Sequence, residues 1–331
     1  MPECPEDAVL LSLREPIALD VLAPAGSAAR NRTRHRAVEL ADRGELAIEW
    51  ARFSAKPVAA IGRERDNATG EARERARHPE WYRFLDESAP NHALKKLEAE
   101  LYLARIAPWL ATLGPDPRVL DLGGGTGRLT IPLAERGLSM TLADANPAAL
   151  ADAARALSDT SLDIAIGVAG ADDAGRLATG SFDAVLSIEV LCYIEEPLAA
   201  MRELARLLRG GGLAIVSVEA WPGGLLAVPD LGADELAMAL RDRTLHRPDD
   251  LFVRYFDRAA VERLLVGGGL EPLCITSHHH VIEGPFRAVL DEFDLARADH
   301  RQRVQALEDA AHRDPVLAPL GRAWLALARK P

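Results

Sequence analysis

An apolar run, Arg118-Val119-Leu120-Asp121-Leu122, breaks into Gly123-Gly124-Gly125-Thr126-Gly127, and an amphipathic segment from Arg128 to Arg136 leads to Gly137. These residues dictate a buried strand, a tight turn and a helix, with nothing bulky where the backbone would approach a ligand. The glycines at 123, 125 and 127 spell GxGxG. A dinucleotide fingerprint, GxGxxG, needs glycine at the position occupied by Arg128. Taken alone the turn is equally well a plain structural bend, so the segments after it decide its meaning.

Those segments alternate. Strands are expected at Met140 to Ala143 with Asp144 at the end, Asp163 to Val168, Phe182 to Ile188, Leu213 to Val218, Pro272 to His278 and Trp324 to Arg329. Helices are expected at 148–157 after Asn146-Pro147, from Pro197 to Leu208, and from Asp257 through Leu265. Gly210-Gly211-Gly212 and Gly267-Gly268-Gly269 close two of them. Asn91 to Leu113, with Leu94, Leu97, Leu101, Ile106, Trp109 and Leu110 at helical spacing, reads as a helix that Asn91 caps. Pro132 is expected to cost the helix after the glycines one hydrogen bond and to kink it. Short apolar strands alternating with helices give an α/β fold with a parallel sheet covered on both faces.

Two inserts, 220–254 and 285–320, interrupt the alternation, and residues 1–90 form an N-terminal extension, a helical arm or lid. Arg36 to Phe53 is helix-like, with Leu46, Trp50 and Phe53 as anchors for a homodimer. The Arg30 to Arg36 cluster reads as a solvated helix start, with an anion or phosphate site as the alternative, and 62–78 as a linker or a mobile lid. Net charge of −11 over 331 residues opposes a broad nucleic-acid-binding face. No apolar run reaches bilayer length and no leader is evident, so the expectation is a cytoplasmic protein without membrane attachment. Cys4, Cys192 and Cys274 lack metal-ligand spacing and are expected as reduced thiols, the last two in apolar surroundings.

In this order and at these separations the segments resemble the class I S-adenosylmethionine-dependent methyltransferases, over residues 91–331. The resemblance rests on Leu120 to Gly127, on Asp144 seventeen positions after Gly127, and on Asp172-Asp173 after the third strand. It rests also on Ser181 to Ser187, Leu204 to Gly212, Arg254 to Asp257 followed by Val261 to Gly269, and Trp324 to Lys330. It implies a Rossmann-like seven-stranded, mostly parallel sheet with an antiparallel last strand. S-adenosyl-L-methionine is the implied cofactor, S-adenosyl-L-homocysteine the product, and no metal is expected. Gly123, Gly124, Gly125 and Gly127 would meet the methionine portion, with glycine at 124 taken as neutral against the family's frequent cysteine, and Asp121 would orient the loop or the cofactor's amino group, or else simply stabilise the turn. Asp144 with Ala145 would take the ribose diol through two acceptor oxygens. Asp172, or its neighbour Asp173, would accept from the adenine amine, and Ile188 would border the crevice.

The acceptor is expected to be a small molecule, methylated on oxygen, nitrogen or sulfur. Ser187-Ile188-Glu189-Val190 stands where methylases of exocyclic base amines carry Asn/Asp-Pro-Pro-Tyr/Phe, and no proline precedes Cys192. Glu189 and His246 are the candidate catalytic groups, with a surface loop histidine as the ordinary reading of the second. Tyr193, Trp221, Arg254, Tyr255 and Tyr82 are candidate acceptor contacts, Glu219 a further lining residue, and Trp81 and Phe84 part of a lid. His278-His279-His280 attracts notice as a metal site, but strand alternation lets at most two converge. The competing readings are an NAD(P)-dependent oxidoreductase and a non-catalytic protein that keeps the fold.

Overall fold

The structure, a computed structural model, describes residues 88, 91–157, 160–247 and 252–331. The arm, Tyr82 with its aromatic neighbours, the arginine cluster, the dimer anchors and Cys4 lie outside the described residues.

Helix α1 (His92–Leu110) precedes the sheet, and strands β1 (Arg118–Leu122), β2 (Ser139–Asp144) and β3 (Ala165–Val168) alternate with α2 (Thr130–Glu135) and α3 (Pro147–Leu157). Strand β4 (Phe182–Ile188), α4 (Pro197–Leu207) and β5 (Leu208–Glu219) follow. The first insert holds α5 (Gly223–Leu226), α6 (Ala233–Asp242) and a hairpin of β6 (Thr244–Leu245) with β7 (Val253–Arg254). Then come α7 (Arg258–Gly267), β8 (Glu271–His278), α8 (Ala298–Arg313) and β9 (Ala323–Arg329). Seven strands form one sheet in the order β3-β2-β1-β4-β5-β9-β8, parallel from β3 to β5, with β9 antiparallel to both neighbours. This is the expected Rossmann-like sheet with its last strand reversed. No described helix is long and apolar enough to cross a membrane.

Strand order reverses between β1 and β4, so the turns leaving those two strands part in opposite directions and flank the crevice where open α/β sheets bind ligands. The sheet is buried on both sides. Leu120, Leu122, Val185 and Val216 face the layer of α4 and α7, while Val119, Leu142, Leu186 and Ile215 face that of α1 and α3. Burying both faces is why these strands read as continuous apolar runs.

Four local expectations are corrected. Asn91 does not cap α1 through its side chain; its carbonyl accepts from the Lys95 N–H at 3.0 Å. Pro132 costs nothing, because α2 starts at Thr130 and the proline sits in the first turn, where N–H groups have no intrahelical acceptor. The glycines after α4 do not form a loop before β5 but lie within it, from Leu208 onward. Cys192 is buried as expected, but Cys274 is exposed, since β8 is the edge strand.

Candidate functional site

At the carboxyl edge of β1 the chain turns through Gly123 and Gly125, both with positive φ (86° and 56°), a region that an L side chain enters only at a cost. A Cβ on Gly123 would come within 2.4 Å of Val190, so the turns after β1 and β4 abut at the reversal point. A Cβ on Gly124 would meet Asp121 Cγ and Leu142 Cδ1, each at 2.5 Å. A side chain at 124 would therefore have to displace the buried side chains of Asp121 and Leu142. Over Gly125 the space is open, with nothing within 4 Å of a built Cβ.

Asp144 leaves the end of β2 and reaches this turn. Its Oδ2 accepts from Gly125 N–H at 2.8 Å and its Oδ1 from Asn146 N–H at 2.8 Å, while Asn146 Oδ1 caps α3 at Ala148. Loop and carboxylate thus face one another across the mouth of the crevice, with Ala145 half-buried beside them. A carboxylate at this place offers two acceptor oxygens on the side of the glycine turn. Asp121 is turned the other way. It is 2% exposed, accepts from Thr130 Oγ1 at 2.6 Å and fixes the base of the turn from beneath. Burial pushes its carboxyl up to about 6, against the Thr130 hydrogen bond. Asp173 Oδ1 accepts from the Gly175 N–H at 3.4 Å and holds the turn after β3, where Asp172 is half-buried. That turn is anchored next to Asp144 by the Ala169 N–H on its carbonyl.

Beyond Ile188, buried at the end of β4, the chain turns sharply at Glu189 (φ 58°). Glu189 belongs to a buried ionic network that spans five elements. Arg128, directly after the glycine turn, lies 2.6 Å from Glu98 Oε1 on α1 and 3.1 Å from Glu189 Oε2. Arg322, just before β9, contacts Glu219 at 2.7 Å, Glu283 at 2.8 Å and Glu189 at 3.3 Å. Lys95 joins Glu98 at 3.0 Å to Glu283 at 2.7 Å. Tyr102 Oη, fully buried, bonds Glu189 at 3.1 Å and Ser217 at 2.9 Å. Burial pushes Glu189 up, but Arg322 and Arg128 outweigh it and hold the carboxyl below its usual range. An ionised, doubly paired carboxylate is a poor proton acceptor, which weakens Glu189 as a base.

The three histidines sit against this network. Strand β8 ends at His278, and His279 adopts φ 59°, so pleat alternation no longer separates their rings. The rings of His278 and His279 are 4.1 Å apart, and that of Tyr102 lies 4.7 Å from His279. Glu308 on α8 clamps the turn, accepting from the N–H groups of His280, Val281 and Ile282 at 2.7 to 2.8 Å. Burial lowers the pKa of His279, opposed by Glu98, Glu189 and Glu308, and that of His278 falls further. Glu98, Glu189 and His279 bring one donor atom each within 4.8 Å of one another.

The remaining expected residues lie around the first insert. Tyr193 is half-buried after β4, and Tyr255 is buried with its ring 6.5 Å from Trp221. The Arg243 guanidinium lies 3.7 Å over Trp221, and Arg254 donates to the Glu195 carbonyl at 3.1 Å. His246 is exposed at the end of β6. Glu98, Tyr102, Arg128 and Arg322 were missed from the sequence, and His279 was weighed there only as part of a metal site. The signals available were two polar residues inside an otherwise apolar α1 pattern, and a cation placed where the last strand begins.

The family described as "Methyltransferase domain" matches residues 120–216. The ubiquinone biosynthesis O-methyltransferase of Xanthomonas campestris pv. campestris is 31% identical over 180 residues, 54% of this chain and 72% of that protein. The protein of that name from a Caulobacter species is 34% identical over 117 residues, 35% of this chain and 46% of its own. Among solved structures, the magnesium protoporphyrin IX methyltransferase of Synechocystis, with bound S-adenosylhomocysteine, superposes with a TM-score of 0.51 at 16% identity. It covers 80% of this chain and 99% of that one.

Proposed function

Since the chain belongs to the class I S-adenosylmethionine-dependent methyltransferases, we propose that it moves a methyl group from that cofactor to a hydroxyl oxygen of a small molecule. The two relatives, 31% and 34% identical, are named O-methyltransferases of ubiquinone biosynthesis, which favours oxygen over nitrogen or sulfur. The observation that carries the cofactor assignment is the junction of Gly125 and Asp144 at the strand-order reversal.

The residues present fit the cofactor. Open space over Gly125 leaves room for its amino-acid portion, and the two carboxylate oxygens of Asp144 would meet the ribose diol. Ala145 and Ile188 would border it, and Asp172 or Asp173 would accept from the adenine amine. Asp121 acts indirectly by fixing the turn. When bound, the cofactor supplies an electrophilic methyl on a sulfonium centre. The protein's part is positioning and exclusion of water, the main sources of rate in a displacement of this kind. Glu189, kept ionised by Arg128 and Arg322, offers negative charge beside the cationic centre. Tyr193, Trp221, Arg254 and Tyr255 are the candidate walls on the acceptor side.

Calorimetry with S-adenosylhomocysteine tests this reading. Wild type is expected to bind at micromolar concentration. Asp144→Ala is expected to lose at least about tenfold in affinity, since it removes ribose acceptors and frees the Gly125 N–H together. Absence of binding to the wild type would refute the proposal.

A further inference from the structure

Four carboxylates, Glu98, Glu189, Glu219 and Glu283, share three cations, Lys95, Arg128 and Arg322, in the network above. One negative charge is left over, and the group placed to answer it is His279. Its side chain is fully buried, yet neither ring nitrogen has a hydrogen-bond partner among the described residues. A neutral imidazole must carry one N–H and one lone pair, and leaving both unmet where the side chain is buried is costly. One donor atom each from Glu98, Glu189 and His279 lies within 4.8 Å of the others, yet neither His279 nitrogen is hydrogen-bonded to either carboxylate. A single oxygen accepted among the three would answer the ring. Arg128 already bridges the two carboxylates, so a guanidinium stands where a metal would gain most.

We propose that His279 is the general base of the transfer, and that the oxygen completing the Glu98–Glu189–His279 cluster is the hydroxyl of the methyl acceptor. The inference rests on the methyltransferase reading and adds to it a base and a protic acceptor. As the bond from acceptor oxygen to methyl carbon forms, the O–H bond breaks and its proton passes to a His279 nitrogen. The electron pair of the broken carbon–sulfur bond stays on sulfur. Positive charge therefore leaves the sulfonium and arrives on an imidazolium that the surplus carboxylate offsets.

The groups facing the ring support this assignment from each side. Glu98 and Tyr102 come from α1, Glu189 from the turn after β4, His278 from its own segment, Glu308 from α8 and Arg322 from just before β9. Burial keeps the resting ring neutral and able to accept, while the acids around it favour the protonated ring once the proton arrives. Tyr102 and His278 pack on the ring and fix its plane, as a base requires.

The test uses the full chain, wild type and His279→Asn. S-adenosylhomocysteine binding, read by calorimetry, should agree within about threefold between them. Methyl transfer is followed on catechol, whose hydroxyl is protonated near neutrality, and on 4-nitrocatechol, whose hydroxyl is largely ionised there. The variant should lose about 10²- to 10⁴-fold in kcat on catechol, the range of general-base catalysis, and less than tenfold on 4-nitrocatechol. Nitrogen-15 imidazole spectra with S-adenosylhomocysteine bound should show a neutral His279 ring that shifts when catechol is added. Equal loss on both acceptors, or a His279 signal indifferent to catechol, would overturn the proposal. So would methylation of neither acceptor by a wild type that binds S-adenosylhomocysteine, or Mn²⁺ binding that His279→Asn abolishes. A wild type that does not bind S-adenosylhomocysteine refutes the underlying methyltransferase reading, and the proposal with it.

Discussion

Gly124 and Gly125 are neighbours with opposite reasons for being glycine. At Gly124 the obstacle is packing: a methyl group would press on Asp121 and Leu142, both inside the core. At Gly125 the space is free and only the positive φ resists a side chain. Gly124→Ala is therefore expected to destabilise the protein by about 1–3 kcal/mol through overpacking. Gly125→Ala should cost about 1 kcal/mol through backbone strain alone, while narrowing the open space above the turn. Chemical denaturation of both variants checks the order, and a larger loss at Gly125 would contradict it.

Between β8 and α8, one carboxylate holds a whole turn. Glu308 accepts three successive backbone N–H groups and so fixes the segment that presents His279. Burial raises its pKa, but the hydrogen bonds from the His280 segment lower it further, leaving it below the usual value. The sign follows directly. A depressed folded-state pKa stabilises above the unfolded carboxyl value near pH 4.3, and that contribution is lost as pH falls through the folded value. Glu308→Gln should remove this acid dependence and speed amide hydrogen exchange at His280, Val281 and Ile282, measured by mass spectrometry. Unchanged exchange would show that the turn holds itself.

Across the molecule, Arg322 ties β4, β5, β9 and the turn before α8 through three carboxylates, with its side chain 14% exposed. Removing one partner of a buried ionic group leaves charge uncompensated, typically at about 3–5 kcal/mol. Arg322→Met is expected to lower stability by that order at pH 7. The loss should shrink at lower pH, where Glu219 protonates first, its pKa being raised by burial. Denaturant midpoints across that range test both statements.

How much of this was legible beforehand depends on the range over which each feature is decided. Strand and helix positions follow from apolar runs, glycines and capping residues that act within a few positions. Thus β4 appears at Phe182–Ile188 as expected, and Asp257 caps α7 through Ala260. The junction of Gly125 with Asp144 was equally accessible, because adjacent parallel strands must deliver both to one edge. Tertiary structure alone decided that residues as distant as Glu98, Glu189, His279 and Arg322 share one buried cluster. No local periodicity encodes a balance of charges drawn from five elements. It also decided that His279 leaves the strand pleat, because the clamp that bends the chain there, Glu308, lies 28 residues from His280. Short-range preferences are written in neighbouring residues, whereas charge compensation in a low-dielectric interior exists only once distant segments have packed.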